Sequence, residues 1–189
     1  ELGKALYHSA RFTDLAPESI YAYRVGDGEI WSEWFHFRTA SAEAKPFSFV
    51  YFGDAQNDIR SLWARVIRQA YHHDSDIAFL LHAGDLVNHA DSDLEWGEWN
   101  YSGGWLNGMV PSIATPGNHE YAKGVTGRRL SHHWRPQFDL PTHGPEGLEE
   151  STYYLDYQGV RIIYLNSNEK RAVQVAWLEA ALRDNPNRW

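Results

Sequence analysis

A rhythm constrains this chain more than anything else in it: three short apolar runs, each ending in a glycine followed by an oxygen-bearing side chain. Phe47–Phe52, apolar but for Ser48, runs into Gly53-Asp54-Ala55-Gln56. Ile77–Leu81 leads to Gly84-Asp85-Leu86-Val87-Asn88, and Val110–Ala114 to Pro116-Gly117-Asn118-His119-Glu120. Strand-length runs without alternation are expected of strands covered on both faces. Pro111 is tolerable near a strand start. Between the first two runs, Ile59, Leu62, Trp63, Val66, Ile67, Ala70 and Tyr71 recur at i, i+3, i+4, i+7, i+8, i+11 and i+12. That is the stripe of an amphipathic helix, with Asn57 placed to cap it. A second helix is expected around Leu94–Leu106. Buried strands alternating with helices make an α/β domain, and ligands of open α/β sheets bind beyond the carboxyl ends of the strands.

Downstream, Thr152–Tyr157 and Val160–Leu165 flank Gln158-Gly159 and read as an antiparallel hairpin. Val173, Ala176, Trp177, Ala180 and Ala181 mark a last helix. Upstream, Leu6–Arg38 reads as β: Leu6–Phe12, a strand through Tyr21 and Tyr23, a tight turn at Gly26-Asp27-Gly28, and a return strand Ile30–Arg38. Leu15-Ala16-Pro17-Glu18-Ser19-Ile20-Tyr21 resembles the L-x-P-x-[ST]-x-Y corner of fibronectin type III-like sandwiches, where the Tyr hydroxyl bonds to the backbone upstream. Such a sandwich needs about seven strands, so this part is expected to be the end of one, with unpaired edges. Thr39–Pro46 is small, polar and closed by proline, a linker. The expected division is 1–42, the last part of a β-sandwich, and 43–189, an α/β domain. The chain opens at Glu1 without a Met or signal segment and stops at Trp189 just after a helix, which reads as a chain cut at both ends.

Composition removes several functions. No cysteine means no disulfide framework, zinc ribbon or thiol nucleophile. Seventeen basic against 25 acidic residues leave a net charge of −8, with no Lys/Arg cluster to follow a nucleic-acid backbone. No apolar run approaches the roughly 20 residues of a membrane span.

Singly, a Gly-Asp after a strand is a turn or a cap. All three motifs in order are hard to assign to turns. Two carboxylates and an amide gathered in one crevice are costly unless a cation neutralises them, and oxygen ligands with a few imidazoles suit Mn, Fe, Zn or Mg. Two metals about 3.5–4 Å apart can clamp a displacement at phosphorus. Other histidines have plainer roles. His72 and His73 sit at a helix end, where the dipole favours them. His82 packs at a strand end, and His89 lies in the metal-side loop. His132, His133 and His143 fall in a long segment that either lines a substrate cleft or is a solvated loop. Trp96, Trp99 and Trp105 read as core rather than a stacking platform.

Gly53-Asp54, Gly84-Asp85-Leu86-Val87-Asn88 and Gly117-Asn118-His119-Glu120 together resemble the calcineurin-like metallophosphoesterase superfamily. A β-sandwich in front narrows the resemblance to its purple acid phosphatase branch. Gln174–Leu182 is similar to that superfamily's helix before its fourth motif. The resemblance implies a layered α/β (α+β) sandwich of mixed sheets with flanking helices, preceded by the last fibronectin III-like strands. It implies hydrolysis of phosphate esters, small or on a phosphorylated substrate, by metal-bound hydroxide at a dinuclear site. Asp54 would bind the first ion, Asp85 bridge both, and Asn118 bind the second. His119 would act as acid or transition-state stabiliser. The cofactors implied are two divalent or trivalent ions, Fe, Zn or Mn, and the location secreted, periplasmic or cell-surface. The chain departs from the pattern at Gln56, where Gly or His is usual, and at Asn88, where purple acid phosphatases have a Tyr ligand. Asn88 is then itself a candidate ligand, and the Tyr-to-iron colour should be missing. The family's further His ligands would fall beyond Trp189, so these residues alone are expected to bind metal weakly. The competing reading is a non-catalytic secreted or cell-surface binding module, which has no reason to gather Asp54, Asp85 and Asn118.

Overall fold

Residues 6–125 and 127–189 are described by the structure, a computed structural model; the first five residues of the expected 1–42 segment lie outside them. Ile20–Tyr23 (β1) and Phe35–Arg38 (β2) pair antiparallel, with Ile20 opposite Arg38. The Tyr21 hydroxyl accepts a 2.8 Å hydrogen bond from the Ala16 N–H, the contact expected of the corner motif. Two expectations change here. The return strand is Phe35–Arg38 rather than Ile30–Arg38, because Asp27 Oδ1 accepts from the Glu29 and Ile30 N–H groups and bends the chain into an Asx-type turn. Residues 6–12 form no strand. A strand needs a neighbour for its backbone groups, and this stretch is held instead by the Phe12 ring against Tyr23 and Phe37.

Ser48–Phe52 (β3), Ile77–His82 (β4) and Ser112–Ala114 (β5) form a parallel sheet in that order. Consecutive parallel strands joined by right-handed crossovers place both connections on one face. The first connection is a π-helical turn, Ile59–Trp63, continued by Ala64–His73 (α1). The second is Asp93–Gly103 (α2), ending in a 3-10 turn at Gly104–Gly108. Asn57 does not cap the first helix. Its start is Asp58, in left-handed backbone (φ 50), whose carbonyl accepts from the Ser61 and Leu62 N–H groups. Ser92 caps α2 through its hydroxyl. Trp96 and Trp99 are core, whereas Trp105 is half-exposed against Tyr71.

The segment after Asn118 carries an unanticipated hairpin, Tyr121–Gly124 (β6) and Gly127–Leu130 (β7), then a short helix Trp134–Gln137 (α3). The expected hairpin is present as Tyr153–Tyr157 (β8) and Val160–Tyr164 (β9), and Arg171–Arg183 (α4) is the last helix. Tyr157 meets Phe47 and Phe79 edge-on at 4.8 and 5.0 Å, and the Tyr153 hydroxyl donates to the Ala114 carbonyl. This hairpin therefore covers the sheet face opposite α1 and α2. Its cover is partial: Tyr51 on β3 is 67% exposed and Phe49 46%. The expectation of a first strand buried on both faces fails because β3 is an edge strand, paired with β4 alone among the described residues.

The front segment is fastened at the amino end of the sheet. At the β8–β9 turn, Gln158 accepts from the Ser41 N–H and donates to the Lys45 carbonyl. The Tyr23 hydroxyl donates to the Gly108 carbonyl at 2.6 Å. No helix among the described residues is long and apolar enough to cross a membrane.

His82, 1% exposed at the end of β4, is wedged between the rings of Phe52, Trp63 and Trp99, and neither ring nitrogen has a hydrogen-bond partner. Burial lowers its pKa from 6.5 to about 4. In that window the unfolded chain takes the proton and the folded one does not. Stability from this site is thus whole above pH 6.5 and drains away as pH falls towards 4, by at most about 1.4 kcal/mol per pH unit. Urea unfolding at pH 7 and pH 4.5 should show a smaller loss for His82→Phe than for the wild type; equal losses would exclude this origin.

Candidate metal centre

At the carboxyl end of the sheet the hydrogen-bond ladder continues past the strands. Ala83 N–H donates to the Phe52 carbonyl (2.8 Å), Asp54 to Gly84 (3.1 Å), Gln56 to Asp85 (3.0 Å) and Thr115 to His82 (3.0 Å). The first two motif loops are stitched together by backbone, and the second and third touch more closely still. A Cβ on Gly84, at φ +86, would lie 2.1 Å from the Gly117 nitrogen, and one on Gly117 would lie 2.3 Å from Asp85 Oδ1. Only glycine permits that approach. Asp54 (φ 62) and Asp85 (φ 53) both hold left-handed backbone, a conformation that costs of order 1 kcal/mol or more and gathers at functional sites.

Glu120 binds these loops. Fully buried, it accepts from the N–H groups of Asp85 (2.8 Å) and Gly117 (2.7 Å) on one oxygen, and of Leu86 (2.7 Å) and Val87 (3.4 Å) on the other. Burial pushes its pKa up, the amide donors pull it down, and the charge of Asp85 adds to the push. Glu95 repeats the device at the far end of the second loop, accepting from the N–H groups of Asn88 and His89, both at 2.7 Å, and from the His89 ring. Burial raises the Glu95 pKa, but these bonds outweigh it and hold the carboxyl below its ordinary range.

Asp85 Oδ1 accepts from the His119 N–H at 2.8 Å, while His119 Nδ1 lies 2.8 Å from the Asn88 carbonyl. A carbonyl only accepts, so Nδ1 carries the hydrogen and Nε2 is left for a ligand. Asp54 Oδ1 accepts from Gln56 Nε2 at 2.7 Å. Asn88 Nδ2 donates to Asn57 Oδ1 at 3.1 Å, which leaves its own Oδ1 as the atom able to meet a cation. Asn118 is exposed, and its backbone carbonyl accepts from Arg128. All five sequence candidates therefore lie on adjoining loops at one end of the sheet. Four of them offer carboxylate or amide oxygens and His119 a ring nitrogen, a set that suits a hard or borderline cation. It is a partial set: among the described residues no three His, Cys, Asp or Glu side chains are grouped to hold a metal ion. A cleft of about 590 Å³ opens beside it, lined by Asn88, His89, Asn118, His119, Tyr121 and Arg128 among others.

Other histidines stay apart. His133 is buried and faces Asp93 at 3.0 Å, His143 packs on Tyr154, and His72 and His73 end α1. Sequence reasoning missed Glu120, Glu95 and Arg128. Ser92-x-x-Glu95 is a capping-box signature, and Gly124-x-x-Gly127 is a hairpin signal, so two of the three had a trace. For Glu120 the only trace was its place as the last letter of Gly-Asn-His-Glu.

Residues 47–188 match the family model of the calcineurin-like phosphoesterases, and residues 1–39 match the purple acid phosphatase N-terminal domain. Among solved structures, the chain is similar to the purple acid phosphatase PPD1 from seeds of yellow lupin (Lupinus luteus), with a TM-score of 0.71 and 22% identity over 90% of this chain and 34% of that one. It is also similar to PhoD, with a TM-score of 0.55 and 12% identity over 81% of this chain and 38% of that one. The chain thus spans about a third of the length of the structures it matches. No curated protein matches it by sequence.

The clamp gives a test. Glu120→Gln keeps the shape but turns an NH2 group towards amide donors, and hydrogen bonds to a charged group are worth roughly 1.5–3 kcal/mol each. Urea unfolding should show a loss of about 2–3 kcal/mol. An unchanged midpoint would mean that the loops hold together without this carboxylate.

Proposed function

The chain belongs to the calcineurin-like phosphoesterase family, and from that premise we propose that the intact protein hydrolyses phosphate esters at a two-metal site on these three loops. The observation that supports this most is the stitching of the three loops, in which the backbone of Asp54 bonds to Gly84, that of Gln56 to Asp85, and Asp85 to His119, with Asn118 and His119 lining the adjoining cleft. In this reading Asp54, Asp85 and Asn118 would hold the ions, with Asn88 Oδ1 as a further donor in place of a tyrosine. Such ions neutralise phosphoryl charge and activate water at neutral pH.

The chain's own residues supply the rest. The His119 backbone N–H fixes one oxygen of Asp85, and the other oxygen would be the one available to a cation. The Asn88 carbonyl fixes the His119 ring through Nδ1, so that Nε2 is the atom turned to the substrate, able to give a proton to the leaving oxygen when the ring is in its imidazolium form. Glu120 and Glu95 hold the loops in register without touching substrate. Residues 1–42 would form part of a fibronectin III-like domain, a reading supported by the Tyr21 corner bond and the match over residues 1–39. Residues 43–189 would belong to the catalytic domain. The purple acid phosphatase resemblance supports a secreted, periplasmic or cell-surface setting and Fe, Zn or Mn as the ions.

Hydrolysis of 4-nitrophenyl phosphate by the intact protein, with metal content measured in parallel, tests the assignment. His119→Asn should lower kcat by roughly 10²–10⁴ with metal retained, and Asp85→Asn should abolish turnover and lose metal. An iron-loaded sample should show no tyrosinate-to-iron absorption. A His119→Asn variant with unchanged kcat would remove that residue from the chemistry.

A further inference from the structure

The β6–β7 hairpin forms one wall of the cleft beside the candidate metal centre. Arg128 lines the cleft, donates to the Asn118 carbonyl and lies over the Tyr121 ring at 5.5 Å. Directly across the ladder from Arg128 is Lys123. Cross-strand partners share a face, and like charges placed so are destabilising on their own. Neither Lys123 nor Arg128 has a carboxylate partner among the described residues, whereas the adjacent Arg129 is bound by Asp91. The acidic group of the cleft wall, Asp91, is thereby neutralised, and Glu95 is engaged by His89. In a chain of net charge −8, a cross-strand pair of cations without a carboxylate partner, one of them lining the cleft, favours an anion there. Asn118 and His119, the residues that would face the reacting phosphoryl group, line the same cleft as Arg128, which bonds to the Asn118 carbonyl from the hairpin.

We propose that Arg128, backed by Lys123, binds a second anionic group on the substrate's leaving portion, making the site selective for phosphate esters that carry a negative charge besides the phosphoryl group. This rests on the phosphoesterase reading above. Arg128 presents a planar fork suited to two oxygens of a carboxylate or phosphate. Lys123 adds field without fixed geometry, so its share should fade with salt sooner than that of Arg128.

The experiment compares two non-hydrolysable ligands of the metal-loaded intact protein, propylphosphonate and 3-phosphonopropionate, which differ by the second anion. Calorimetric titration should show the wild type binding the second about tenfold more tightly, the value of one charge-assisted hydrogen bond. Arg128→Gln should bring the ratio close to one. Lys123→Gln, which disturbs no contact to Asn118, should lower it by a smaller factor, and 0.5 M salt should erase the Lys123 share first. Turnover of 4-nitrophenyl phosphate by the wild type is measured alongside. Turnover with a wild-type ratio near one, or with a ratio unmoved in Arg128→Gln, overturns this proposal alone. Neither turnover nor phosphonate binding overturns the phosphoesterase reading and this proposal together.

Discussion

Four backbone N–H groups from two loops converge on the single carboxylate of Glu120, and the arrangement of the candidate centre follows from that convergence. The donors come from Asp85, Leu86, Val87 and Gly117, which leave the ends of neighbouring strands with no ladder of their own to satisfy them. A buried amide without a partner is expensive, and so is a buried carboxylate without donors. Each cost cancels the other only when both loops are in place. The left-handed turns at Asp54 and Asp85 and the glycines at 84 and 117 are the local conditions for that closure. A change in any of these is felt across all three loops.

The support beneath is asymmetric. Two helical crossovers stack Trp63, Trp96 and Trp99 on one face of the sheet, and the β8–β9 hairpin lays Tyr153 and Tyr157 on the other. The helical face is dense and dry enough to hold a histidine neutral, while the other face leaves Phe49 and Tyr51 in water. Apolar content alone made β3 a strand; how well it is covered depended on its neighbours.

That distinction explains what could be read from the chain. The stripe from Ile59 to Tyr71 carries a helical periodicity, and the runs at 77–81 and 160–165 are short, mostly apolar and strand-sized, so their elements were legible. So were the loops that carry the site candidates, because a glycine and an oxygen donor at a strand end are a local pattern. Glu120 was not legible as a clamp: its partners at Asp85 and Leu86 lie 35 and 34 positions away, and a charged residue after a histidine looks like surface. The cation wall was hidden for a similar reason, since Lys123 and Arg128 become neighbours only once a hairpin sets their register. Residues 6–12 failed in the other direction, having strand-like composition and no neighbour to pair with.

The Gln158 side chain, at the turn of the β8–β9 hairpin, holds the segment between the two matched regions by two hydrogen bonds, and Tyr23 adds a third at Gly108. All three lie at the end of the sheet remote from Asp54, Asp85 and Asn118. The front segment is therefore a handle rather than a wall of the candidate centre. A fluorophore, affinity tag or surface tether placed on the exposed turn at Asp27-Gly28-Glu29 would report on or immobilise the molecule without entering the cleft, and homologous front segments could be exchanged there as interchangeable parts.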